Sequence, residues 1–286
     1  MTTETPTVLI DAAELAQALE SEHPPVVLDV RWTLAGPPGR PEFEAGHVPG
    51  AQWVDLEHEL SGPPQGAGGR HPLPDPAVFQ QAMRRVGVFS NSSVVVCDGA
   101  TSLAASRLWW LLTDAGQADV RVLDGGVAAW RAAGQPVETG PARPVVEGDF
   151  EAHPGQRRAL QGNDVEAELS RDQPRRLVDV RAAERYSGAV EPMDPVAGHI
   201  PGAVNLPSMT NLAGDGTFLD PAVLAARYAD AGVDASSVIY CGSGITAAHT
   251  LLALRLAGID DAYLYPGSWS DWVSDPTRPV ATGEEP

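Results

Sequence analysis

One segment of the chain has the residues and spacing for nucleophilic chemistry. Val238-Ile239-Tyr240 is an apolar run of strand length, and it ends on Cys241. Gly242-Ser243-Gly244-Ile245-Thr246 follows, and then a helix-like run over 247–257. A thiol so placed lies at the carboxyl end of a strand, where loop amides and the positive end of a helix dipole can face it. Such surroundings favour the thiolate, the nucleophilic form of cysteine. A buried strand-end cysteine can also serve simply as a small apolar side chain. The two glycines argue for the reactive role, because a packing cysteine does not require a backbone free to wrap around it.

The elements that would position this thiol occur twice. Leu28-Asp29-Val30-Arg31 returns as Val178-Asp179-Val180-Arg181, and Gly46-His47-Val48-Pro49-Gly50-Ala51 as Gly198-His199-Ile200-Pro201-Gly202-Ala203. Val94–Asp98 aligns with Val238–Cys241 when Asp98 is set opposite Cys241, and Leu123–Trp130 aligns with Tyr265–Trp272. The offsets are 150, 152, 143 and 142, so loop lengths drift while order is kept. A period this long means two homologous domains, since solenoid repeats run to about 20–50 residues. The expected division is a first domain over 1–143, a linker over 144–158 and a second domain over 159–286. The stretch 139–158 is rich in Pro and Gly, although a short strand could lie within 144–150.

Each copy alternates short apolar runs with segments of helical spacing. In the first copy the apolar runs are 26–30, 94–97 and 120–123, and the helical segments are 12–19, 77–86 and 103–112. Asp11 followed by Glu14 reads as a capping pair for the first helix. Alternation of this kind predicts an α/β fold with two parallel sheets, each covered by helices on both faces. Ligands of such sheets bind outside the carboxyl ends of the strands, where Cys241 falls.

Net charge is −19, and all 19 basic residues are arginines. The acidic balance argues against nucleic acid or an anionic membrane as partner. No apolar window approaches the ~20 residues of a membrane span. Cys97 and Cys241 end strands in different copies, so a disulfide is not expected, and neither shows metal-ligand spacing. These features predict a cytoplasmic protein whose thiol stays reduced. They leave the oligomeric state open.

Cys-Gly-Ser-Gly-Ile-Thr at 241–246, Gly-His-Ile-Pro-Gly-Ala at 198–203 and Tyr-Pro-Gly-Ser-Trp-Ser-Asp-Trp at 265–272 resemble the rhodanese superfamily of sulfurtransferases. The loop is most similar to the 3-mercaptopyruvate version, with Ile245 in place of Val. The resemblance implies two rhodanese-like domains, of which the first, with Asp98 in the nucleophile's place, is catalytically silent. It implies sulfur transfer from a small anionic donor to cyanide or a thiol through a Cys241 persulfide, with no cofactor beyond that cysteine. It makes Gly242, Gly244, Ile245 and Thr246 the cradle of the sulfur, with Thr246 also suited to cap the helix. Arg185, after the second Asp-Val-Arg strand, matches the arginine that grips the donor's anionic end. A second arginine expected a few residues later is missing from Glu191-Pro192-Met193-Asp194-Pro195. Ser243 and His47 match two members of a proton-handling Ser–His–Asp set whose carboxylate is not evident; His47 could equally be structural within its turn.

Three rivals stand beside this reading. Thiosulfate could be the donor to the same cysteine, although Gly242 and Ser243 lack the charge that thiosulfate enzymes of the family carry after the Cys. Phosphatase chemistry lacks the arginine that should close the loop, since Ala247, Ala248 and His249 stand there. A non-catalytic interaction module would fit the first copy alone.

Overall fold

A computed structural model describes residues 7–34, 36–64 and 68–286. The first sheet contains β1 (Leu9–Ile10), β2 (Val26–Asp29), β3 (Gln52–Trp53), β4 (Ser93–Cys97) and β5 (Asp119–Leu123). Every pairing is parallel, and the order is β1-β5-β4-β2-β3. The second contains β6 (Leu177–Asp179), β7 (Val204–Asn205), β8 (Val238–Tyr240) and β9 (Tyr263–Leu264), in the order β7-β6-β8-β9, again all parallel. A parallel bridge from Ala159 to Leu264 extends it beyond β9, where β1 stands beside β5 in the first. The repeat read from the sequence is therefore a repeat of topology.

The inner strands are almost wholly apolar because parallel strands covered by helices are buried on both faces. Val94, Val95 and Val96 in β4 and Val238, Ile239 and Tyr240 in β8 have no exposed surface. The helices following these two strands, Leu103–Asp114 and Ile245–Leu256, are buried along most of their length. The first helix, Ala12–Leu19, begins with the expected capping box: Glu14 N donates to Asp11 Oδ1 and Asp11 N to Glu14 Oε2. The segment 144–150 forms no strand. Its backbone instead closes onto the end of the helix Pro76–Arg85, with Gly148 N donating to the Arg84 carbonyl and Phe150 N to that of Val88.

A buried clamp recurs in both copies. Asp29 takes the Arg31 guanidinium, which donates onward to the carbonyl of Gly46 at 3.0 Å. Asp179 takes Arg181, which donates to the carbonyl of Gly198 at 2.6 Å. Each central strand is thereby tied to the Gly-His turn of its own copy. Removing either partner would strand a buried charge, at a cost of about 3–5 kcal/mol.

The chain forms two compact units that do not follow the simple halves. One comprises Met1–Glu59, Pro76–Gln156 and Gly214–Thr217; the other comprises Leu60–Asp75, Arg157–Ala213 and Phe218–Pro286. Thus residues 60–75, which the sequence division assigns to the first domain, pack with the second. Among the described residues, no helix is long and apolar enough to cross a membrane.

His249 lies in the middle of the helix Ile245–Leu256, fully buried and stacked on Phe218 with ring centroids 4.7 Å apart. Burial pushes its imidazole from 6.5 down to about 3. Between those values the unfolded chain binds a proton that the folded chain refuses, so this term destabilises the fold as pH falls. At pH 5 it amounts to about 2 kcal/mol, from 1.36 kcal/mol per pH unit below 6.5. In His249→Leu, the loss of urea-unfolding free energy between pH 7 and pH 5 should shrink by about that amount. An unchanged loss would mean that His249 is protonated in the fold.

Candidate active site

Cys241 is the first residue after β8, and its side chain is only 2% exposed. Gly244 turns the chain back toward it. At φ +82° Gly244 caps the helix Ile245–Leu256, and its N–H donates to Cys241 Sγ at 3.1 Å. A side chain is excluded at this position, because a Cβ would stand 2.3 Å from the Pro266 carbonyl oxygen. Ile245 is the first helical residue and is buried, while Thr246 is the second. The cap is therefore the glycine and not the Thr246 hydroxyl, because Thr246 already lies within the first helical turn.

The segment after β9 braces the loop from the other side. Trp269 N and Ser270 N donate to the carbonyls of Cys241 and Gly242, both at 3.0 Å. Ser268 Oγ accepts from Cys241 N at 3.1 Å, donates to the Tyr265 carbonyl at 2.9 Å and lies 3.9 Å from Sγ.

Residues 68–71, far away in sequence, complete the site. Gly68 N donates to Asp271 Oδ1 at 2.7 Å and Arg70 N to Ser270 Oγ at 3.1 Å. Gly69 has φ +76°, and a Cβ there would meet the Gly267 carbonyl oxygen at 2.4 Å. This anchoring delivers His71, whose Nδ1 is 2.7 Å from Ser243 Oγ, both residues buried. It also delivers Arg70. Measured from where a Cβ of Gly242 would stand, Arg70 Nη2 is 3.0 Å away and Arg185 Nη1 3.3 Å.

The structure therefore brings together Cys241, Gly242, Ser243, Gly244 and Arg185 as the sequence predicts, and adds His71 and Arg70. The imidazole on Ser243 is His71, not His47. His47 stacks on Phe43 at 3.8 Å and bonds the Phe43 carbonyl through Nδ1 at 2.8 Å. His199 does the same with Tyr186, at the same two distances. A histidine serving the same turn in both copies holds that turn. A second guanidinium does lie beside Gly242, that of Arg70, from outside the 191–195 segment. Both omissions have one cause. The Gly69-Arg70-His71-Pro72 stretch falls opposite Gly214-Asp215-Gly216-Thr217 in the second copy, as the shared Asp-Pro-Ala-Val at 75–78 and 220–223 shows, but neither the arginine nor the histidine recurs there, so the repeat drew no attention to them.

In the first unit the same cradle is filled by a carboxylate. Asp98 accepts from the amides of Ala100, Ser102, Ala104 and Ala105 at 3.0–3.3 Å. Burial pushes this carboxyl up while the four amides pull it down. Cys97, one residue earlier, faces the core, and burial drives its thiol far above the ordinary range.

The rhodanese-like domain family matches residues 11–133 and 162–275. The chain belongs to the rhodanese family. Among curated rhodanese relatives, it is 47% identical over 284 residues to "Putative thiosulfate sulfurtransferase SseB" of Mycobacterium tuberculosis, covering 96% of this chain and 97% of that one. It is 45% identical over 284 residues to "Probable 3-mercaptopyruvate sulfurtransferase" of Pseudomonas aeruginosa, covering 96% and 98%. Among solved structures, the rhodanese fold of the 3-mercaptopyruvate sulfurtransferase SseA of Escherichia coli matches with a TM-score of 0.79 at 31% identity, covering 92% of this chain and 99% of that one.

The Gly244 contact can be tested directly. Gly244→Ala should destabilise the fold by at least about 1 kcal/mol, since an L-residue at positive φ is strained even without a clash. It should also slow alkylation of Cys241 by iodoacetamide at fixed pH, because the amide facing Sγ is displaced. Equal alkylation rates in variant and parent would remove that amide from the account of the thiol's reactivity.

Proposed function

We propose that the protein is a sulfurtransferase that takes sulfur from 3-mercaptopyruvate onto Cys241 and passes it to cyanide or a thiol. The observation that carries this reading is the turn at Gly244, which aims a backbone N–H at Sγ from the start of a buried helix. A negative sulfur is stabilised there by the backbone, beside the Arg70 and Arg185 guanidiniums at Gly242. The Cys241 thiolate attacks the donor sulfur, an S–S bond forms, and the donor's C–S bond breaks. The electron pair leaves as the enolate of pyruvate, which takes up the proton released from the donor thiol. The acceptor then attacks the outer sulfur and returns the thiolate, completing a two-step, ping-pong route. Arg185 and Arg70 are placed to hold the donor's carboxylate, and the sulfur cradle is formed by Gly242, Gly244, Ile245 and Thr246. Asp98 cannot carry sulfane sulfur, which leaves the first unit without a nucleophile. Two free thiols fit a reducing, cytoplasmic setting.

His71 and Ser243 form a path for the proton that must travel from the donor thiol to the enolate carbon. Thiosulfate has no such proton: its S–S bond breaks to release sulfite directly. This difference favours 3-mercaptopyruvate as the substrate for which the pair is built, and thiosulfate remains the second reading.

Mass spectrometry after donor treatment should find about 32 Da added at Cys241, one sulfur atom under covalent catalysis, and none in Cys241→Ser. A persulfide confined to Cys97, or full turnover in Cys241→Ser, would defeat the proposal. His71→Ala and Ser243→Ala should each lower kcat/KM for 3-mercaptopyruvate by about 10²-fold, the usual scale of general acid–base help, and the double variant by little more. Thiosulfate turnover should fall much less. Equal losses with both donors would assign the pair a structural role.

A further inference from the structure

The two guanidiniums over Gly242 are held by carboxylates. Arg185 donates Nε and Nη2 to Glu191 at 3.2 and 2.7 Å, and Nη2 also to Asp194 Oδ2 at 3.2 Å. Arg70 donates Nη1 to Asp194 Oδ1, while its buried Nε has no hydrogen-bond partner among the described residues. Asp194 is thus the one carboxylate shared by both arginines, and its side chain is only 4% exposed. Arg181 joins the same cluster through Asp179 and Glu191. Three guanidiniums therefore face three carboxylates. The cluster presents aligned N–H donors toward Gly242, with its formal charge cancelled.

We propose that Asp194 is a specificity-determining residue that sets the charge class of the sulfur donor. It fixes Arg70 and Arg185 in a position to bond a donor's anionic end while removing one of their two charges. A single carboxylate can use such donors with little repulsion. A compact dianion, inside a protein of net charge −19, needs the uncancelled field that Asp194 removes. The neutral Gly242-Ser243 pair then explains only part of the donor choice, because the positive charge beside the loop comes from other elements and is tuned there. The idea takes its substrates from the sulfur-transfer reading. Its electrostatic core does not depend on turnover.

The test uses the full-length protein with Asp194→Asn, Asp194→Glu and Arg70→Met. In Asp194→Asn, kcat/KM for thiosulfate relative to that for 3-mercaptopyruvate should rise about tenfold, the scale of one nearby, partly screened charge. Asp194→Glu should stay near the parent ratio. Arg70→Met should move the ratio the other way, since it leaves Asp194 in place and removes a cation. Protection of Cys241 from iodoacetamide by two inert anions supplies a readout free of catalysis. Sulfate should protect Asp194→Asn at roughly tenfold lower concentration than the parent, and pyruvate should change much less. If Asp194→Asn lowers both donors equally and shifts neither anion, Asp194 only props the arginines and the proposal fails. If Asp194→Asn does not fold, an unchanged donor ratio or an unchanged sulfate-to-pyruvate protection ratio in Arg70→Met overturns it. Absence of any persulfide in the parent, with the anion shifts intact, would instead sink the sulfur-transfer reading and leave the charge assignment standing.

Discussion

The structure depends on placing a buried sulfur against a backbone donor inside a strongly acidic protein. A buried negative charge needs compensation close at hand, and the overall field opposes it. The answer lies mainly in the backbone. Strand β8 ends, the chain reverses through Gly244, and a peptide N–H points at Sγ while a helix starts immediately behind it. That reversal needs a glycine, because the Pro266 carbonyl closes the space where a side chain would begin. The Pro266 segment is itself fixed by hydrogen bonds from Trp269 and Ser270 to the loop carbonyls. The sheet, the loop and the final helical turn thus serve one geometric requirement.

The first unit shows the same order of strand, loop and helix, with a loop one residue longer and different contents. The Asp98 carboxylate accepts four amides where the second unit holds a thiol. Each cradle holds an acceptor for loop amides: the Asp98 carboxylate takes four, and Cys241 Sγ takes that of Gly244. The same place in the fold thus accommodates Asp98 in one unit and Cys241 in the other, since either side chain accepts from loop amides. The first copy also retains the strand order, the Asp–Arg clamp and the stacked histidine of the second.

What could be read from the sequence was local. The strand, cysteine, glycine turn and helix follow one another within twenty residues, and each leaves its own mark on composition. The capping box of the first helix, the repeat and the parallel order belong to the same class. Non-local placement could not be read. His47 shares a motif with His199, and a motif does not reveal which imidazole meets Ser243. His71 carries no motif and lies 172 residues from its partner. The second arginine expected in 191–195 is absent there, and Arg70 lies beside the same loop from another part of the chain. The valines at 145 and 146 suggested a strand, but the amides beyond them bond to a helix end instead.

The exchange of segments between the two units affects how the chain is made. Residues 60–75 belong to a body whose last residue is 286, and residues 214–217 return to the body begun at the amino terminus. Neither unit can be cut out as a continuous piece without leaving part of itself behind. A fragment starting at 159 would have the nucleophile and lack Arg70 and His71. The 60–75 segment bonds Ser270 and Asp271, so during synthesis it must wait for 196 further residues, the difference between 271 and 75. At ~5–20 residues per second that is roughly 10–40 s on the ribosome. The thiol can exist before its surroundings are complete, so the reactive centre is among the last features of the molecule to mature.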